Sequence, residues 1–195
     1  MLIDTHCHLD APDFDHDRAQ VIAKSQAAGV VCIVLPSVAP DNFETVRTLA
    51  QSNTCLTYAL GVHPLFTHHL AADWLDQLRA AIERSLGDPR FVAIGEIGLD
   101  NFVHNPDVKI QELVYHEQLK LAAEFELPVL LHVRKSQDRL LKYLRQVPVS
   151  GGLAHAFNGS DQQAAQFIKQ GFALGFGGAM TFTRARQIRR LATTV

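Results

Sequence analysis

The sequence contains no apolar run near the roughly 20 residues that a membrane-spanning helix needs, so no such helix is expected. It also lacks a Gly/Ser/Pro-rich linker and any low-complexity segment. Three cysteines, Cys7, Cys32 and Cys55, cannot all pair and show no CxxC spacing, which points to a reduced, cytoplasmic chain. The opening MLIDTHCHLD has no basic region followed by an apolar stretch, so a secretory leader is not expected. A formal net charge of −2 gives no broad field for gripping polyanions. What is abundant is apolar surface: 47% of 195 residues, enough for a full core and too much for a disordered chain. Length and the missing linker lead us to expect one domain over residues 1–195. Ten histidines stand out.

Short apolar, often β-branched runs alternate with helix-like segments. The expected strands are residues 2–5, 30–36, 56–61, 91–95, 128–132, 152–154 and 172–176. Their continuous apolar character is that of parallel strands buried on both faces. Helices are expected at 14–28, 41–51, 72–86, 106–125, 136–146, 160–170 and 183–193. Gly29 stands at the end of the first, Asp41 opens the second, and Ser160 is placed to cap the sixth. Seven strand–helix repeats predict an α/β fold, with a doubly wound sheet and a (β/α) barrel both open on alternation alone.

The histidines choose between them. His6 and His8 follow the first strand one residue apart, so both rings project from one face. His63 follows the third strand, Glu96 the fourth, His132 the fifth and His155 the sixth. A lone strand-end histidine is most often a hydrogen-bonded structural residue. Five of them with a glutamate, at the same end of five strands, gather only in a barrel, whose C-terminal face carries active sites. Imidazoles with a carboxylate suit zinc, iron or manganese, and a central glutamate can bridge two ions for displacement at phosphorus. His16, His68, His69, His104 and His116 fall in loops or helices and are expected at the surface.

Five motifs in order, Asp4-Thr5-His6-Cys7-His8, Gly61-Val62-His63-Pro64, Gly95-Glu96-Ile97-Gly98-Leu99-Asp100, Leu131-His132-Val133-Arg134 and His155-Ala156-Phe157-Asn158-Gly159, resemble those of the TatD family of metal-dependent deoxyribonucleases, among the amidohydrolase-like barrels. The resemblance implies a TIM-like (β/α) barrel and two divalent ions (Zn2+, Mg2+ or Mn2+). His6 and His8 would hold the first ion, Glu96 would bridge, and His132 and His155 would hold the second. His63 would lie beside the ions, touching the phosphate or a water, and Asp100 would fix the loop after the fourth strand. A glutamate bridge, where other amidohydrolase branches use a carboxylated lysine, favours the TatD branch over dihydroorotase-like or urease-like sites. The implied reaction is 3′-to-5′ cleavage of DNA, or of a small phosphodiester, by activated water, with Glu96 and His63 as the catalytic residues.

Other residues are read from position. Arg134 shares strand parity with His132 and can hold a phosphate as a bidentate donor. Phe14, Phe66 and Phe102 lie in loops at the catalytic face, suited to base stacking or to loop packing. Phe157 is expected to support His155, Cys7 to face the core, Asp10 and Asp13 to be solvated, and the basic run of Arg184, Arg186, Arg189 and Arg190 to form an exposed helix face.

The family's eighth-strand aspartate, in a Glu-Thr-Asp-Ala-Pro motif, has no counterpart in this sequence, and 195 residues is short for a fold typically of roughly 250. Two alternatives therefore stand beside the nuclease. One is an amidohydrolase-type hydrolase of a small cyclic amide or ester. The other is a metal-binding but inactive truncated copy that self-associates through open barrel edges.

Overall fold

Seven parallel strands form one sheet whose order is the chain order: β1 (Leu2–Asp4), β2 (Val30–Pro36), β3 (Leu56–Leu60), β4 (Phe91–Asp100), β5 (Val129–Arg134), β6 (Gly152–His155) and β7 (Phe172–Leu174). The computed structural model describes residues 1–104 and 106–194; Asn105 and Val195, inside the domain expected over 1–195, lie outside the described residues. Each strand is followed by a helix: α1 (Arg18–Ala27), α2 (Phe43–Gln51), α3 (Trp74–Ser85), α4 (Val108–Glu124), α5 (Gln137–Gln146), α6 (Asp161–Lys169) and α7 (Arg186–Thr194). No described helix is long and apolar enough to cross a membrane.

The sheet curls. In a flat sheet the ends of β1 and β6 would lie about 24 Å apart, five strand spacings of about 4.8 Å. Instead His6, just past β1, stacks on His155 at the end of β6 with ring centroids 3.6 Å apart. That contact closes the strands into part of a barrel and excludes the doubly wound sheet, as the strand-end histidines predict.

Pleat parity divides the packing. Tyr58, Leu60, Ile94, Val129 and Leu131 join the main apolar cluster with helix residues such as Val46, Leu78, Ile82, Leu119 and Leu140. Ala59, Ala93 and Leu130, one residue out of phase, form a second small cluster. His132 has the parity of Leu130, so it shares that second face.

Three expected boundaries move by three residues or more. The first helix starts at Arg18 rather than 14, after a 3-10 turn at Pro12–Phe14, because the Arg18 guanidinium folds back to donate to the Leu9 and Ala11 carbonyls and pairs with Asp15. The last helix starts at Arg186, following a 3-10 turn at Gly178–Thr181. The fourth strand does not stop at 95 but runs on to Asp100, for a reason that bears on the site.

Candidate metal centre

Glu96 lies inside β4, not at its end. Ile94 pairs with Val129 and Ile97 with Leu131, so three steps on β4 face two on β5. Such an irregularity re-aims one side chain while the strand continues. The Glu96 N–H leaves the β5 ladder to donate to the Ser37 carbonyl on the other side, and the Gly95–Glu96 peptide is cis. The flanking glycines are required by space: a Cβ on Gly95 would sit 2.5 Å from that of Leu130, and one on Gly98, at φ +146, would collide with the His132 carbonyl.

The carboxylate, 1% exposed, turns one oxygen to three histidines and the other to a fourth. Oε2 is 2.6 Å from His6 Nε2, 3.5 Å from His8 Nε2 and 3.7 Å from His63 Nε2. Oε1 is 2.7 Å from His132 Nδ1. Among the described residues two donor sets share it, His6–His8–Glu96 and His63–Glu96–His132, each with its donor atoms within 4.8 Å of one another. His155, expected with His132, is brought to the site but stands outside both sets, its ring flat against His6.

Two histidines have carboxylates behind them. His132 has Nε2 3.0 Å from Asp100 Oδ2, so that with Nδ1 given to an ion its Nε2–H would still have an acceptor. Asp100 is fully buried and also accepts the Phe102 N–H, so it fixes the loop as expected and orients His132 as well. His8 Nδ1 lies 4.0 Å from Asp10 Oδ1. Asp10, expected in solvent, is only 10% exposed, because the Asn42 amide from the turn after β2 donates to it. Asp13 is exposed as expected.

His63 differs from the other rings. Its Nδ1 accepts the Leu65 N–H at the start of the 3-10 turn Pro64–His69, so the neutral ring carries its proton on Nε2. That Nε2–H faces His132 Nδ1 at 3.1 Å and offers a hydrogen bond rather than a lone pair.

Burial opposes charge throughout the cluster, and partners decide the outcome. For Glu96, hydrogen bonds from His132, His6 and His8 outweigh burial and hold the carboxyl well below its usual range. Burial lowers His8 and His132, but Glu96 reverses the sign for both, with Asp100 adding to His132. His63 and His155 are driven down to about 4, by burial first and then by neighbouring rings, against the pull of Glu96. Burial, then Asp4 and Asp10, push the Cys7 thiol up to about 11, consistent with its expected packing against the core.

The residues fit divalent ions. The donors are imidazoles around one buried carboxylate, a set suited to borderline and hard divalent cations. Among the described residues Asp10 Oδ1 is a buried oxygen without a hydrogen-bond partner, 4.0 Å from His8 Nδ1, where an outer carboxylate would stand behind an imidazole that held an ion.

Four buried polar residues that the sequence reading passed over hold the strand ends. Gln118 of α4 accepts the Val62 N–H and donates to the Val62 carbonyl, and Gln111 accepts the Asp100 N–H. Ser37 bonds both backbone groups of Gly61, and Ser136 links the Arg134 N–H to the Leu99 carbonyl. Their signal was present: Gln111 and Gln118 lie seven residues apart, hence on one helix face, among Val114, Tyr115, Leu119 and Ala122.

The remaining expectations separate. Arg134 ends β5 exposed, 3.9 Å from Asp100 Oδ2. Phe66 meets the His63 ring edge-on, Phe102 is exposed beside Arg134, and Phe14 packs against the core. Phe157 is fully buried. Arg184, Arg186, Arg189 and Arg190 are exposed, with Arg190 paired to Asp161. His16, His68, His69 and His104 are exposed, and His116 is half-buried beside Tyr143.

A family model described as TatD related DNase matches residues 3–195. An uncharacterized metal-dependent hydrolase of Escherichia coli K12, YjjV, is 40% identical over 188 residues, 96% of this chain and 72% of that protein. Its crystal structure superposes with a TM-score of 0.93 at 38% identity, over 100% of this chain and 74% of that one. A 3'-5' ssDNA/RNA exonuclease TatD of Cronobacter sakazakii is 34% identical over 181 residues, 91% of this chain and 66% of that protein.

Proposed function

The chain belongs to the family of TatD-related DNases, and from that premise we propose that this metal-dependent hydrolase, acting on ester bonds, cuts phosphodiester bonds in DNA from the 3′ end. The observation that carries the reading is the buried Glu96 with one oxygen toward His6 and His8 and the other toward His132. A carboxylate so divided would hold two ions at once.

In this reading His6 and His8 would hold one divalent ion, His132 and His155 the other, and Glu96 both, within one barrel domain over 1–195. The two ions, Zn2+, Mg2+ or Mn2+, would lower the pKa of a water and polarise a phosphoryl oxygen when bound. Glu96 and His63 are the catalytic residues of the chain. Glu96 keeps its charge under burial and so holds the two histidine groups at one spacing. His63 stays outside the ligand set and donates its Nε2–H to a phosphoryl oxygen, because Leu65 occupies its other nitrogen. Arg134, at the exposed end of β5, holds a substrate phosphate.

The test is hydrolysis of bis(p-nitrophenyl) phosphate and of end-labelled single-stranded DNA, with metal content measured alongside. The protein is expected to carry two ions, to release nitrophenol, to shorten DNA from the 3′ end, and to lose both activities in EDTA. Glu96→Gln should lower kcat/KM by more than the roughly 10–100-fold typical of outer-sphere partners. Turnover of a cyclic amide but not of phosphodiesters, or no turnover at two ions per chain, would sink the reading and leave the small-amide or the inactive alternative.

A further inference from the structure

Beside the metal centre the ends of β4 and β5 carry a feature that the proposed chemistry uses only through Arg134 as a holder of phosphate, leaving Phe102 and Lys135 without a role. Phe102, 56% exposed, has the Arg134 guanidinium carbon 4.2 Å and the Lys135 ammonium 4.7 Å from its ring centroid. An exposed aromatic covered by two cations holds those cations in place, since each is attracted to the ring.

The backbone beneath is tied. Asn101 donates its N–H to the Arg134 carbonyl at 2.9 Å and its amide to the Lys135 carbonyl at 2.8 Å. Phe102 donates its N–H to Asp100, and Ser136 anchors the Arg134 N–H. Lys135 sits at φ +52, a left-handed conformation that a non-glycine residue adopts at a cost and that the Asn101 bond helps retain. Two long flexible cations are thus held in advance, which is what reduces the entropy lost when an anion binds.

The cations are also under-neutralised. Among the described residues no carboxylate lies within 4.0 Å of the Lys135 ammonium, and Arg134 has only Asp100, at 3.9 Å. That carboxylate is already engaged by His132 and by the Phe102 N–H. Asp100 also fixes the location: one oxygen touches His132 of the metal centre and faces Arg134 of the rim, so the rim adjoins the reacting position without entering it.

Building on the phosphodiesterase reading, we infer that Phe102, Arg134 and Lys135 form a subsite for a second phosphodiester group of the same strand, next to the one positioned for cleavage. Arg134 and Lys135 bind its oxygens, and Phe102 holds both cations over the rim. A substrate with one phosphate leaves this subsite empty; an oligonucleotide fills it.

The test is binding of fluorescein-labelled hexathymidylate with phosphorothioate linkages, which resist cleavage, by the metal-loaded protein, followed by anisotropy over a range of salt, beside bis(p-nitrophenyl) phosphate hydrolysis by the same samples. The variants are Arg134→Gln, Lys135→Gln and Phe102→Leu, all at exposed positions, with circular dichroism as the check on folding. Each Gln variant should weaken hexathymidylate about three- to tenfold at low salt and flatten the log–log salt slope, the double variant by about 0.7, the value for one single-strand phosphate contact. Phe102→Leu should weaken binding while keeping the wild-type slope, because both charges remain. Affinity and slope equal to wild type in both Gln variants would overturn the subsite. So would a wild type that hydrolyses the small ester but does not bind hexathymidylate. Rim-dependent binding without hydrolysis of any phosphodiester would instead uphold the subsite and defeat the proposed activity.

Discussion

Asp100 shows how much one side chain can decide. With no exposed surface it stands against His132 Nε2, takes the Phe102 N–H and faces Arg134, so one carboxylate orients a ring and sets the shape of a loop. Outer partners of this kind typically alter metal affinity 10–100-fold. Asp100→Asn is therefore expected to weaken metal binding by roughly that factor, measured by isothermal titration with Mn2+, with the fold intact by circular dichroism. Unchanged affinity would limit Asp100 to its loop. At this scale the sequence was informative about the side chains that gather at the centre and poor about their supports. His6, His8, His63, Glu96, His132 and His155 could be picked out because ligand-type residues recurred at strand ends. Asp10 could not, since a loop aspartate looks solvated until the Asn42 amide is seen to cover it.

The elements contribute through buried polar ties. Gln118 reaches from α4 to both backbone groups of Val62, the residue before His63, and is itself fully buried. Gln118→Leu keeps much of the volume but strands a buried N–H and carbonyl, each costing about 1–3 kcal/mol when unpaired. We expect a loss of about 2–6 kcal/mol in urea unfolding, and a loss below about 0.5 kcal/mol would refute the tie. Strand and helix order was readable from apolar runs and their interruptions. The step at Glu96 was not, because a strand irregularity is defined by the partner strand: Gly95 and Gly98 signal close approach but do not say that Leu130 and His132 are what approach.

On the scale of the whole molecule the curl of the sheet creates the centre, and it also leaves edges. Among the described residues β1 pairs only with β2 and β7 only with β6. Leu2 and Ile3 on β1 are 60% and 59% exposed. Unpaired backbone groups beside exposed apolar side chains invite a second copy. The 195-residue chain in isolation should therefore gain mass with concentration in sedimentation, and Ile3→Lys should reduce that gain. A monomer at every concentration, for both proteins, would contradict it.

The sequence by itself determined the alternation of strands and helices, the residue types of the centre and the strand ends that bear them, because apolar period and ligand chemistry are local properties of the chain. Its five motifs also carried the family. Tertiary structure alone decided that Glu96 turns one oxygen to His6 and His8 and the other to His132, that His155 lies on His6, that Leu65 commits His63 to being a donor, and that Phe102 gathers two cations beside Asp100. Each of these depends on segments distant in sequence, or on a turn's closure, and becomes definite only when the sheet has curled.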